Sequence, residues 1–301
     1  MRGTENQFPV NSTLSLIVMK MKTGLILLAW LLFTTANVFS QDTNFYIFLC
    51  FGQSNMEGFP GVEEQDKAAG NRFQVLAAVD FPNMGRKKGS WYPAVPPLCR
   101  DSTGLCPADY FGRTLVSKLP ANIKVGIVNV SVAGSKIELF DKTNYLSYAS
   151  TVASWMTGII NAYNGNPYGQ LVEMGKLAQK DGVIKGILLH QGESNTDDKD
   201  WPLKVKAIYD NLIKDMNLKA EEVPLLAGEL VNADQQGACA SMNAIINELP
   251  KTIPSSYVIS SRDCTSRPDH LHFNAAGYRE LGKRYGMKML SLLGYQIDES
   301  R

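Results

Sequence analysis

The chain contains three histidines, His190, His270 and His272, and these bound the acid–base chemistry open to it near neutral pH. Ser54 follows an uninterrupted apolar run, Phe45 to Phe51. A serine hydroxyl is a weak nucleophile that becomes effective when a base lies within hydrogen-bond reach and a third group holds that base. His272 stands three residues after Asp269, a spacing that brings both side chains to one side of a turn. The pattern makes Ser54, His272 and Asp269 candidates for acyl transfer through a serine, its base and the group that holds that base. His270 adjoins Asp269, and adjacent side chains diverge. His190 ends an apolar run, where an imidazole serves equally well as a wall residue or a catalyst. His270 and His272 also form a His-x-His pair, but the ligands are too few for a metal centre, and neither Cys-x-x-Cys nor His-Glu-x-x-His occurs. No cofactor or metal is expected. Activity should survive a chelator and fall as pH drops below about 6.5, the ordinary imidazole value.

A scaffold must bring positions 54 and 272 together. Apolar runs of strand length recur at Phe45 to Phe51, Val125 to Val130, Val183 to Leu189, Val223 to Ala227 and Tyr257 to Ser260. Helical periodicity covers Tyr110 to Leu119, Leu146 to Tyr163, Tyr168 to Gln179, Leu203 to Met216, Met242 to Leu249 and Ala275 to Leu293. Strands alternating with helices predict an α/β fold in three layers, with a central parallel sheet of about five strands covered on both faces. Ligands of such sheets bind beyond the carboxyl ends of the strands. The segments at 52–56, 133–135, 191–195 and 269–272 all follow strand runs, and Asn274 is placed to cap the last helix. The stretch Gly58 to Cys106 reads as an elaborated loop beside the site.

Ser54 lies outside a Gly-x-Ser-x-Gly elbow, because position 56 is methionine, which disfavours an α/β-hydrolase. Four blocks occur in order: Gly-Gln-Ser-Asn-Met at 52–56, Val-Ala-Gly-Ser at 132–135, His-Gln-Gly-Glu-Ser-Asn at 190–195 and Asp-His-Leu-His-Phe at 269–273. Together they resemble the SGNH hydrolase superfamily, in the branch of carbohydrate esterase family 6 acetylxylan esterases and sialate O-acetylesterases. The resemblance implies a flavodoxin-like fold and supports the roles of Ser54, His272 and Asp269. It implies an oxyanion hole built from the N–H groups of Ser54 and Gly134. Gln191 is the expected side-chain amide donor, with Asn195 second. Glu193 competes with Asp269 as partner of His272, and spacing favours Asp269; a buried anchor is the plainer role for Glu193, as a loop-stabilising hydrogen bond is for Asn55. The implied substrate is an acetylated oligo- or polysaccharide. Neutral xylan leads over anionic sialic acid because no basic cluster adjoins the blocks, unless Arg100, Arg262 and Arg267 converge on the pocket. Trp91, Tyr92 and Trp201 are available to stack on sugars. An exported glycan-binding protein without catalysis is the alternative of another class.

A net charge of +1 with 20% charged residues gives no electrostatic reason to expect a nucleic-acid or anionic-membrane partner. Lys20 and Lys22 precede an apolar run, Gly24 to Phe33, and small residues follow at Val38 and Ser40. This reads as a secretory signal, too short to span a bilayer, cleaved near Ser40. Residues 1–40 are thus an N-terminal extension and signal peptide, and 41–301 an esterase domain, secreted or periplasmic. Export allows the pairs Cys99–Cys106 and Cys239–Cys264, with Cys50 as an inert buried thiol.

Overall fold

The computed structural model describes residues 41–296 except Pro60, together with Met1 and Gly3, so the expected signal segment lies outside the described residues. Each of the five apolar runs forms a strand: β1 (Asp42–Gly52), β4 (Lys124–Ser131), β5 (Gly182–His190), β6 (Leu225–Gly228) and β7 (Ser256–Ile259). Two more, β2 (Phe73–Leu76) and β3 (Trp91–Pro93), raise the sheet from the expected five strands to seven, in the order β3-β2-β4-β1-β5-β6-β7. They come from the stretch read as loop. Both are short, β3 at the edge and β2 between it and β4, and their pairing is settled by distant residues, which local patterning does not register. All neighbours are parallel except β2 and β3.

The helices are α1 (Ser54–Glu57), α2 (Pro107–Lys118), α3 (Tyr145–Ala149), α4 (Ser154–Ala162), α5 (Pro167–Ala178), α6 (Trp201–Asp215), α7 (Met242–Ile246), α8 (Leu249–Thr252) and α9 (Ala275–Leu292). The expected helix from Leu146 to Tyr163 is two helices. Ser150 and Thr151 turn their hydroxyls back onto the carbonyls of Ser147 and Tyr148, and Ala153 is extended. None of the described helices is long and apolar enough to cross a membrane.

Alternation along β1 sorts the core into two layers. Ile47, Leu49 and Phe51 face a cluster filled from α4, α5 and α6 by residues such as Met156, Leu171 and Trp201. Phe48 and Cys50 face the opposite cluster, filled from α2 and α9 by Phe111, Tyr278 and Tyr285. The sheet is therefore buried on both sides, which is why its strands read as nearly continuous apolar runs.

The five cysteines are free thiols, contrary to both expected pairs. Cys99 lies against the Tyr163 hydroxyl and the Ser131 carbonyl, whereas Cys106 caps the start of α2. Cys239 points at the Glu193 carbonyl, and Cys264 is buried elsewhere. Cys50 is fully buried, and desolvation holds its thiol far above the usual range, so it is inert as expected.

Candidate active site

β1 lies between β4 and β5, at the point where the strand order reverses, and the cleft opens at its carboxyl end. Gly52 ends the strand with φ +153°, and a Cβ there would lie 2.1 Å from the His190 carbonyl oxygen. Glycine is required at this crossing. The chain then turns into α1, which starts at Ser54, and the N–H groups of Met56 and Glu57 close on the Gln53 carbonyl.

The Ser54 hydroxyl lies 2.9 Å from His272 Nε2, and His272 Nδ1 lies 3.0 Å from Asp269 Oδ2. The other carboxylate oxygen of Asp269 accepts the N–H groups of Leu271 and His272, each at 2.9 Å. Partial burial works against charge on Asp269, but these N–H groups and the imidazole outweigh it and hold the carboxyl below its ordinary range. A charged Asp269 fixes the tautomer: Nδ1 carries the proton and Nε2 is left as acceptor for the serine proton. Asn55 locks the two loops together. Its amide NH2 donates to the carbonyl of Leu271, and its Oδ1 accepts the N–H of Phe273, so it grips both neighbours of His272.

Gly134, after β4, has φ +70°. Among the described residues its N–H and that of Ser54 have no hydrogen-bond acceptor. The loop that carries it is fastened on two sides. Glu57, ion-paired with Arg100, accepts the Ala133 N–H, and the Ser194 hydroxyl donates to the Gly134 carbonyl at 2.8 Å. Two open donors beside a serine hydroxyl are the arrangement that stabilises an oxyanion.

Gln191 does not supply a third donor, contrary to expectation. Its NH2 faces Gln53 Oε1, Ser135 O and Asn195 Oδ1, its carbonyl accepts the Trp201 indole N–H, and it is buried. Asn195 is equally occupied: it donates to Glu138 and Asp198 and accepts the Ile137 N–H. Both side chains knit the loop after β5. Gln53 was not singled out by the sequence, yet its carbonyl is pinned by Gln191 and by the N–H groups of Gly192 and Ser194. Its side-chain NH2 has no acceptor among the described residues.

Glu193 does not meet His272. It accepts from Asn55 and lies 3.9 Å from Nδ1 of the buried His190, whose Nε2 donates to the Glu229 carbonyl. Burial raises Glu193 to about 7 and lowers His190 to about 4, so both are held towards their neutral forms. His190 is a wall residue. His270 turns away, with φ +53° and its Nδ1 on the Gln235 carbonyl.

The aromatic residues singled out in the sequence lie elsewhere. Trp201 is fully buried, Trp91 packs on Phe45 at the far end of β1, and the Tyr92 hydroxyl accepts the Lys87 N–H. Phe59 and Trp155 lie at the site instead, Phe59 on His272 and Trp155 against Gly134, and no periodic signal marks them. Phe59 stacks on the His272 ring at 3.9 Å and 11°, and the Arg267 guanidinium carbon lies 4.9 Å from the Phe59 centroid. Arg267 lies 3.8 Å from Asp269 Oδ2, whereas Arg100 is bound by Glu57; of the three arginines, Arg267 is the one in contact with the triad.

Residues 44–291 match the family described as carbohydrate esterase, sialic acid-specific acetylesterase. The chain belongs to this family. It is thus an enzyme of the carbohydrate esterase class, with a fold similar to those of solved relatives. A protein from Arabidopsis thaliana is 19% identical with TM-score 0.63, over 82% of this chain and 98% of that one. NanS is 16% identical with TM-score 0.61, over 85% and 99%. A carbohydrate acetylesterase from Xanthomonas citri is 19% identical with TM-score 0.59, over 83% of this chain and 57% of that one.

Proposed function

We propose that this esterase removes O-acetyl groups from sugars through an acetyl-enzyme on Ser54, that O-acetylated sialic acid is its substrate, and that it works outside the cytoplasm after loss of residues 1–40. The observation that carries the reaction is the unbroken line from Ser54 Oγ through His272 to Asp269, beside two open N–H groups. Ser54 attacks the acetyl carbonyl as its proton passes to His272 Nε2, and the imidazolium is held by Asp269. The carbonyl oxygen becomes an oxyanion within reach of the Ser54 and Gly134 N–H groups. His272 returns the proton to the departing sugar oxygen, and water then repeats the sequence on the acetyl-enzyme.

Two observations support an anionic sugar over xylan. The matched family is described as specific for sialic acid, and Arg267 holds a partly exposed guanidinium beside the base, where a sugar carboxylate would be attracted. Acetate release is to be measured on O-acetylated sialic acid and on acetylated xylo-oligosaccharide, with Ser54→Ala and Arg267→Ala in parallel. The expected result is Ser54-dependent turnover of the sialic acid ester and a raised KM in Arg267→Ala. Faster turnover of the xylan ester, indifferent to Arg267, would transfer the assignment to acetylxylan; no turnover of either would sink the esterase mechanism.

A further inference from the structure

Trp155 is the feature of the site that the reaction leaves unused. It stands in the first turn of α4, whose buried side is formed by Met156 and Ile160, and it is 56% exposed. Burying an indole is one of the larger apolar gains open to a side chain, so one left half in water is conspicuous. Its position is tied to the oxyanion loop. A Cβ built on Gly134 would lie 2.8 Å from Trp155 Cη2 and 3.4 Å from Cζ2, so the six-membered part of the indole rests directly against that glycine. The indole N–H has no acceptor among the described residues, whereas those of Trp91 and Trp201 donate to Asp181 and Gln191. The other exposed aromatic ring beside the triad, Phe59, is already engaged: His272 stacks on it at 3.9 Å, and the Arg267 guanidinium lies 4.9 Å from its centroid.

Resting on the esterase reading above, we propose that Trp155 is the sugar platform of this enzyme: its open face takes the apolar face of a pyranose ring whose acetyl group is presented to Ser54. The chemistry suits such a ring. One face of a pyranose carries aligned C–H groups that pack on an indole, and its hydroxyls provide an acceptor for the free N–H. The ring would lie across Ser54 between Trp155, on the Gly134 side, and Arg267, on the His272 side. A sugar is thereby gripped at two points, and a small ester at neither.

The test compares wild type, Trp155→Ala and Trp155→Tyr on three esters: O-acetylated sialic acid, acetylated xylo-oligosaccharide and ethyl acetate, which has the acyl group but no ring. The expected result is that Trp155→Ala raises KM for the preferred sugar ester about tenfold more than for ethyl acetate. Trp155→Tyr, which keeps an aromatic face, should recover most of that difference. Equal losses on sugar ester and ethyl acetate would overturn the proposal, because the indole would then act only by supporting Gly134. An unchanged KM for both sugars would overturn it too, with the esterase reading intact. If wild type cleaves ethyl acetate but no sugar ester, both the sugar assignment and the platform fall.

Discussion

Asn55 shows how much of the catalytic geometry hangs on one side chain that touches no reacting atom. It follows Ser54 directly, clasps the peptide groups on both sides of His272, and is held from below by Glu193 and the Tyr278 hydroxyl. Asn55→Ala should lower kcat about 10²-fold, since a misplacement of order 1 Å is enough for that, and should change KM far less. The same change strands buried polar partners and should cost about 1–3 kcal/mol in stability, read from urea unfolding. A kcat at the wild-type level would mean that the 269–272 turn holds the base unaided. Asp269→Asn leaves shape intact but removes the charge that keeps the proton on Nδ1, and a fall in kcat of up to about 10⁴-fold is expected. A fall below about tenfold would point to another orienting group.

The loop between β4 and α3 is an element built around one glycine. Gly134 combines a left-handed φ of +70° with an indole packed where a Cβ would be, so two separate constraints act at one residue. Gly134→Ala should therefore reduce kcat about 10²-fold by turning its N–H away from the oxyanion. Combining it with Trp155→Ala removes the clash and leaves the backbone strain, so ethyl acetate hydrolysis should recover only in part. Full recovery would show that the steric contact alone excludes a side chain here. Much of this scale was readable beforehand, because runs of apolar residues mark strands wherever both faces of a sheet are buried. The short strands β2 and β3 escaped because three or four residues paired with distant partners have no period of their own.

Across the whole molecule, the buried pair beneath the site sets a distinctive pH response. Glu193 is raised from 4.5 to about 7, so the folded state binds more protons across that window and stability falls as pH rises through it. His190 is lowered from 6.5 to about 4, so there the unfolded state binds more protons and stability falls as pH drops. Between pH 4.5 and 6.5 the two slopes oppose each other. Glu193→Gln removes the first, so as pH falls from 6.5 to 4.5 its unfolding free energy should drop by about 1 kcal/mol per pH unit, whereas that of wild type should stay nearly level. Parallel pH dependences in urea titrations would mean that the two groups do not titrate as described. The sequence by itself determined the alternation of strands and helices, the placing of Ser54 and His272 after strands, and the Asp269–His272 spacing, because these are local patterns of residue type. Only the tertiary structure decided that Gln191 braces a loop, that the cysteines stay apart, that Glu193 faces His190, that Phe59 stacks on His272, that Arg267 approaches Asp269 and that Trp155 packs on Gly134. Each depends on which side chains from distant segments share a small volume and compete for the same hydrogen bonds, and no spacing along the chain records that competition.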